Sequence, residues 1–552
     1  LRKAIWIVDT RGTGGCAVVG LADATALWCW WEGVGAVASV HARLEQDDQG
    51  TVMLPRVADL VLDQGTVVMP RIDVGGQLPD NAVRLRALLA WRPSIATMAV
   101  PFLVVWVFLL YFGRDPRGWL SWAVTFWWSL PAVGSIIGVC GLLATRRHIK
   151  AIDHYWGDRT PTVDQDTLLV VVPTIGREDT YPALERSVVS YCRYLPGRFP
   201  GFRVDVVTEE GCAAGAKIDA LARKYHRWVR VVTVPRAYTT ANGTRFKARA
   251  NHYANELRIE EGEAREDVWV LHMDDDTAVG SDTALALARF IAQQREGGAR
   301  AVDKHMGQGI LTYPRENALS KLTWLADAAR PAADFAQFSV FTGYGTPLAG
   351  LHGELLAIRA SIEAEIGWDF GPDAIVEDAQ FALVFAKRYP GRTGWFNGRC
   401  YGASPATVRD FVKQRDRWAW GLIGLATNRS IPLRDRAMIA YSVTAWLLSP
   451  LQHIAFVLII GAAFGQLNTT PVTDAVLPIW ALNVAFAVWT YWEGLKINCR
   501  ASGRSRRRLW EAAAAVALIP LFSLIEAWGA MRGLWKHLKH EENKFVVIAK
   551  PA

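Results

Sequence analysis

Apolar and polar positions divide this chain into membrane-length runs and a long block of ordinary polarity between them. Ile95–Phe112 is an uncharged run of 18 residues. As a helix it would measure about 27 Å, close to the hydrocarbon thickness of a bilayer. Trp119–Thr145 is a second uncharged run of 27 residues, long enough to cross with tilt and to bend at Pro131. Ala437–Leu467 and Val476–Trp492 repeat the pattern. The last apolar run, Ala512–Ile525, has 14 residues between Glu511 and Glu526. That length suits an interfacial or re-entrant helix better than a span. The pattern predicts two transmembrane helices in 91–150, two more in 436–495, and a block at 151–435 held between them.

Within that block the period switches between strand and helix. Thr167–Pro173 (TLLVVVP) is a continuous apolar run ending in Pro, as a buried parallel strand would be. Tyr181–Tyr194 reads as a helix, Phe202–Val207 as a strand, Gly215–His226 as a helix, and Val229–Val234 and Asp267–Leu271 as two further strands. This alternation predicts a doubly wound α/β sheet, in which ligands bind at the carboxyl ends of the strands. Acidic clusters fall at those ends: Glu209–Glu210 after the second strand and Asp274–Asp276 after the fourth.

Charge sets the orientation. Arg146, Arg147 and Lys150 follow the second run, and Lys496, Arg500, Arg504 and Arg506–Arg508 follow the fourth. The positive-inside rule puts both ends, and the block, in the cytosol. The protein reads as an integral membrane protein of a bacterial-type plasma membrane. Over 552 residues, 51% hydrophobic content excludes a disordered chain. The formal charge of +8 suits a nucleic-acid partner or a membrane face. The 25 Trp favour the bilayer and no nucleic acid. Seven Cys without a CxxC pair argue against a zinc ribbon or disulfide framework. Residues 1–90 are assigned no function, although the Gly- and Val-rich Gln64–Gly76 suits a small β unit.

Four groups of residues carry candidate chemistry. Three adjacent carboxylates at a strand end repel one another unless a cation offsets them. Asp274 and Asp276 therefore form an Asp-x-Asp pair that would hold Mg²⁺ or Mn²⁺ against a diphosphate; the plain alternative is a solvated acidic turn. Lys247 would contact phosphate as a point charge, or be a surface Lys. Asp378, beside Glu377 at a helix start, would act as a general base toward an acceptor hydroxyl, or cap the helix. Gln414, Arg417 and Trp418 lie on a basic, aromatic helix near 406–430. They would offer an aromatic shelf to a sugar and polar groups to the acceptor or diphosphate, or serve as an interfacial anchor.

Singly these signals are weak; their order is specific. Strand–Pro–Thr, an acidic turn, Lys-Ala-x-Ala-x-Asn, Asp-x-Asp, Glu-Asp and Gln-x-x-Arg-Trp occur in sequence between apolar runs. This resembles the processive-type inverting glycosyltransferases of family 2, the cellulose, chitin and hyaluronan synthase group, over roughly 165–430. Gly309–Tyr313, Leu325–Asp327 with Arg330, and His352–Glu354 are similar to the Egghead-like β-mannosyltransferase branch. The resemblance implies a GT-A fold, a Rossmann-like mixed sheet, with a metal-bound nucleotide sugar. It implies diphosphate and metal on Asp274 and Asp276, Asp378 as base, Thr174 and Glu209 near the nucleoside, and Gln414, Arg417 and Trp418 at the acceptor and diphosphate. Phe545, Val547 and Lys550 resemble the synthases' gating loop, with Ile548 where Thr is expected. The implied donor is GDP-mannose, or alternatively a UDP-sugar as in a polysaccharide synthase. The implied acceptor is a glycan or lipid-linked sugar. A metal-dependent phospho- or nucleotidyltransferase and a non-enzymatic membrane protein are the competing classes.

Overall fold

The computed structural model describes residues 6–8, 17–19, 45–46, 52–53, 95–112, 129–296, 303–343, 345, 347, 351–461, 471–501 and 509–541. Gln64–Gly76 and the Phe545–Lys550 motif lie outside the described residues. The chain forms two compact units, Leu1–Gly75 with Gln293–Asp303, and Gly76–Ala292 with Lys304–Ala552. In the first, Trp6–Val8 pairs with Ala17–Val19 and Glu45–Gln46 with Val52–Met53, both antiparallel.

The second unit holds an eight-stranded mixed sheet. Its strands are β1 (Thr167–Thr174), β2 (Gly201–Glu209), β3 (Val229–Val234), β4 (Val268–His272), β5 (Ala278–Val279), β6 (Met306–Thr312), β7 (Leu356–Arg359) and β8 (Thr393–Tyr401), in the order β3-β2-β1-β4-β7-β6-β8-β5. The half β3-β2-β1-β4 is parallel throughout. β7 then runs antiparallel to both β4 and β6, and β6 pairs parallel with β8. The doubly wound expectation therefore holds for the first half only, and the whole is a mixed α/β sheet of the GT-A kind.

Alternation on β1 shows why the sheet is covered on both faces. Leu168, Val170 and Val172 join a core with Leu184 and Val188 of α3 (Tyr181–Tyr194) and Ile218 and Leu221 of α4 (Gly215–Lys224). Leu169 and Val171 point to the other face and meet Ala250 and Ala254 of α5 (Phe246–Glu260). Strands buried on both faces must be apolar at every position, which is what made them readable.

Helices cover most of the described part of the apolar runs. α1 spans Ile95–Phe112, and α2 spans Ala132–Trp156. Pro131 caps the start of α2 instead of bending it, because a residue without an N–H fits where no intrahelical acceptor exists. After α6 (Ser281–Glu296), α7 (Ala360–Ile366), α8 (Glu377–Arg388) and α9 (Val408–Thr427) come α10 (Leu433–Gly461) and α11 (Pro471–Ala501). Among the described residues no single helix is long and apolar enough to cross a membrane. The pair α12 (Leu509–Ala517) and α13 (Ile519–Leu538) passes that test together, bent by 54°.

α13 is fastened to α9 along a glycine face. A β-carbon at Gly529 would stand 2.5 Å from the Arg415 β-carbon, and one at Gly533 would stand 2.5 Å from the Asp416 carbonyl oxygen. Lys536 Nζ bonds Asp416 at 2.6 Å, and Arg415 bonds Glu526 at 2.9 Å and Asp327 at 2.6 Å. On its outer face α13 exposes Leu521, Leu524, Trp528, Met531, Trp535 and Leu538, spaced three and four apart.

Candidate active site

The carboxyl ends of β1, β2 and β4 open into a cavity of about 690 Å³, which α5, α8 and α9 also line. Thr174, Glu209, Lys247, Asp274, Asp276, Glu377, Asp378, Gln414, Arg417 and Trp418 all face this one space. Residues separated by up to 244 positions thus converge, as the parallel half of such a sheet permits.

At the β1–β2 end, Thr174 Oγ1 donates to Asp275 Oδ2 at 2.9 Å and accepts from the Gly176 N–H. The Glu209 carboxylate is held by Arg249 Nη1 at 2.6 and 2.7 Å. At the β4 end, Asp276 is buried and Asp274 is partly open. Lys247, in the first turn of α5, is no surface lysine. Its ammonium bonds Asp274, lies 3.4 Å from the Gly353 carbonyl oxygen and stands 3.8 Å from Glu377. Burial alone would lower its proton affinity, but Asp274, Glu377 and Glu354 outweigh that and raise it.

Glu377 and Asp378 occupy the first turn of α8, where the macrodipole favours anions. The cap position is Val376, so neither carboxylate is the cap, although Asp378 Oδ1 accepts the Ala379 N–H at 2.8 Å. Burial raises both acids, Glu377 to about 7, with Lys247 pulling the other way. A carboxylate raised toward neutrality is a better proton acceptor than an exposed Asp.

On α9, burial lowers the proton affinity of Arg417, countered by Glu377, Asp274, Asp378 and Glu354. The Trp418 ring is shared. Arg330 lies 4.4 Å and Arg415 4.8 Å from its centroid. A sugar stacked there competes with guanidinium groups, so the expected open aromatic shelf is a cation-covered one.

Seven carboxylates line the cavity, Glu209, Asp274, Asp275, Asp276, Glu354, Glu377 and Asp378, against the cations Arg245, Lys247, Arg249, Arg330 and Arg417. A diphosphate would deepen that acidic excess. Among the described residues no three His, Cys, Asp or Glu groups stand together as a metal cage. Asp274 and Asp276, two oxygen donors facing the same space, fit a Mg²⁺ or Mn²⁺ ion that draws its remaining ligands from phosphate and water.

Several lining residues carried no site assignment in the sequence reading. Arg249 sits two residues beyond Lys247 and could have been marked as a second cation in the same string. Glu354, His352 and Arg330 lay in motifs matched to a family but were given no role. Trp446 of α10 had no local signal; its indole N–H donates to Glu526 at 2.8 Å and its ring reaches the cavity.

Residues 269–492 match the family described as Glycosyl transferase family group 2. On this fold, that stretch is similar to the family 2 glycosyltransferases. Within that class it resembles the Egghead-like branch. It is 27% identical over 357 residues to the β-1,4-mannosyltransferase egh of Drosophila melanogaster, covering 63% of this chain and 70% of the fly protein. It is 30% identical over 228 residues to the β-1,4-mannosyltransferase bre-3 of Caenorhabditis elegans, covering 41% of this chain and 48% of the nematode protein. A solved mannosyltransferase from Pyrobaculum calidifontis, in complex with GDP-Man and Mn²⁺, aligns with 76% of this chain and 99% of its own. At 16% identity and a TM-score of 0.40 it carries no argument about the site.

Proposed function

We propose that this chain is a membrane-bound inverting glycosyltransferase that moves mannose from GDP-mannose to a glycan or lipid-linked acceptor, forming a β-glycosidic bond. The observation that carries the reading is the single cavity joining the Asp274–Asp276 pair, Asp378 and the Gln414–Trp418 turn. The β-1,4-mannosyltransferase activity for which the fly and nematode relatives are named supports mannose over a UDP-linked sugar.

The chemistry is one in-line displacement. The acceptor hydroxyl oxygen forms a bond to the anomeric carbon on the face opposite the leaving group. The bond from that carbon to the diphosphate oxygen breaks, and its electron pair leaves with the nucleoside diphosphate. Asp378 takes the hydroxyl proton. Lys247 and Arg417 stabilise charge on the departing diphosphate. A Mg²⁺ or Mn²⁺ ion between Asp274, Asp276 and the diphosphate would supply further charge compensation when bound. Glu209 and Thr174 lie where the nucleoside would enter.

Membrane seating is supported by α13, whose exposed Trp, Leu and Met stripe suits a bilayer surface. It is also supported by Trp446, which brings a helix from the third apolar run to the cavity wall. The basic residues after the second and fourth apolar runs support a catalytic unit on the cytosolic side. Asp378→Asn should lose transfer about 10²- to 10⁴-fold while retaining nucleoside diphosphate binding. The assay is transfer from labelled GDP-mannose and UDP-sugars in membranes with Mg²⁺ or Mn²⁺, followed by linkage analysis. Normal transfer by the variant removes Asp378 from the role. An α-linked product removes the inverting mechanism.

A further inference from the structure

Glu354 is a cavity carboxylate that the displacement above does not use. We infer that Glu354 is a specificity-determining residue that binds hydroxyl groups of the transferred sugar, an inference that rests on the glycosyltransferase reading.

Position is the first argument. The sugar must lie between the diphosphate end, at Asp274, and the base, at Asp378. Glu354 lines the same cavity. A β-carbon on the preceding Gly353 would lie 2.6 Å from Lys247 Nζ and 3.5 Å from Asp378 Oδ2. Glu354 also feels the charges of Asp274, Lys247, His352 and Arg330, the last of which covers Trp418.

Rigidity is the second. The Gln308 side chain clamps both flanks of the segment. Its Oε1 accepts the His352 N–H at 2.9 Å and its Nε2 donates to the Glu354 carbonyl oxygen at 2.8 Å. His352 Nε2 is paired with Asp334 Oδ1 at 2.8 Å, and Asp334 Oδ2 accepts the Leu311 N–H at 3.0 Å. A side chain on so fixed a backbone can tell apart sugars that differ at one hydroxyl.

Chemistry is the third. Glu354 does not complete a metal cage with Asp274 and Asp276 among the described residues. A carboxyl group facing a substrate cavity offers its oxygens to sugar hydroxyls as acceptors and, when protonated, one O–H as donor. A sugar whose hydroxyl points elsewhere leaves a buried acceptor unmet, which is how polar sites reject close analogues.

The test compares wild type with Glu354→Gln, which keeps shape but replaces one carboxyl oxygen with an amide nitrogen that cannot accept, in the full chain in membranes. GDP-mannose and its C2 epimer GDP-glucose are the donors, and GDP binding is measured beside them. The expected result is GDP affinity within about twofold of wild type, kcat/KM for GDP-mannose down about 10- to 100-fold, and a preference between the epimers reduced by a similar factor. An unchanged epimer ratio overturns the inference, as does a parallel loss of GDP binding, which marks a structural role. If wild type transfers sugar from neither donor nor from any UDP-sugar, the glycosyltransferase reading falls and this inference with it. A silent Glu354→Gln beside an active wild type overturns the inference alone.

Discussion

Replacing Gly353 by Ala should separate activity from stability. Gly353 lies outside the left-handed region, so an alanine backbone is unstrained there. The added β-carbon would stand 2.6 Å from Lys247 Nζ, whereas comfortable contact needs about 3.5 Å. Something must move by about 1 Å. The backbone is clamped by Gln308 on both flanks, while Nζ is the free end of a flexible side chain. The ammonium therefore gives way, losing its approach to the Gly353 carbonyl oxygen and stretching its pair with Asp274. Movement of a side-chain tip keeps the stability loss near the low end of overpacking costs, about 1 kcal/mol. Displacing a phosphate-facing charge by about 1 Å costs about 100-fold in rate. Thermal unfolding, kcat, KM and nucleoside diphosphate affinity together decide the matter. A folded Gly353→Ala protein with wild-type kcat/KM would show that the ammonium's placement is not used. A variant that unfolds instead would refute the claim that Lys247 is the part that yields.

Transfer should rise with pH, since Asp378 must be ionised and burial raises it above the ordinary Asp range; a rate that stays flat as pH rises from acid to neutral would contradict this. Stability should run the other way. Glu354 is raised from 4.5 to about 8, chiefly by burial and then by Asp274. Its folded state binds the proton more readily, so its contribution is complete below pH 4.5 and is lost as pH rises through 8. The Tm of wild type relative to Glu354→Gln, without metal or donor, should fall across that window. Asp327→Ala should destabilise by about 3 kcal/mol, because it strips one partner from the buried Arg415 and leaves only the more exposed Glu526. Denaturant titration of the purified protein checks the value, and a change under 1 kcal/mol would mean that Glu526 suffices.

Legibility followed burial pattern and locality. Thr167–Pro173 was readable because a strand covered on both faces is apolar throughout, the edge strand Val229–Val234 because every position but Arg230 and Thr233 is Val, and α3 matched its expected bounds at Tyr181 and Tyr194. The other half of the sheet was not read as strands. Met306–Thr312 carries two glycines and a glutamine, and Leu356–Arg359 has four residues, too few to show a period. In the site, the acidic pairs and the Gln414–Trp418 turn stood out because several unusual residues fall close together. Arg249, Arg330 and Trp446 did not. Each is ordinary in its own stretch and gains its role from a partner far away: Glu209 for the first, Trp418 for the second, Glu526 for the third. The cations covering Trp418 belong to the same class of information, since nothing near that ring in sequence tells which guanidinium will reach it from Arg330.

Two residues with positive φ bear on why the site holds its shape. Phe246, at φ 59, comes directly before Lys247, and Leu355, at φ 53, directly after Glu354. A side chain other than glycine in that region costs about 1–3 kcal/mol and persists only where surroundings over-determine it. For Leu355 the surroundings are visible. Its side chain is fully buried and packs where a β-carbon on Gly309 would collide with it. Its N–H meets Met273 Sδ at 3.3 Å, and its carbonyl oxygen accepts the Gly309 N–H at 3.1 Å. The left-handed turn sends the Leu355 side chain into the core while Glu354, one residue earlier, faces the cavity. The strain at Leu355 is thus tied to a definite result: Glu354, in the turn before β7, is held toward the cavity by the packing of its neighbour.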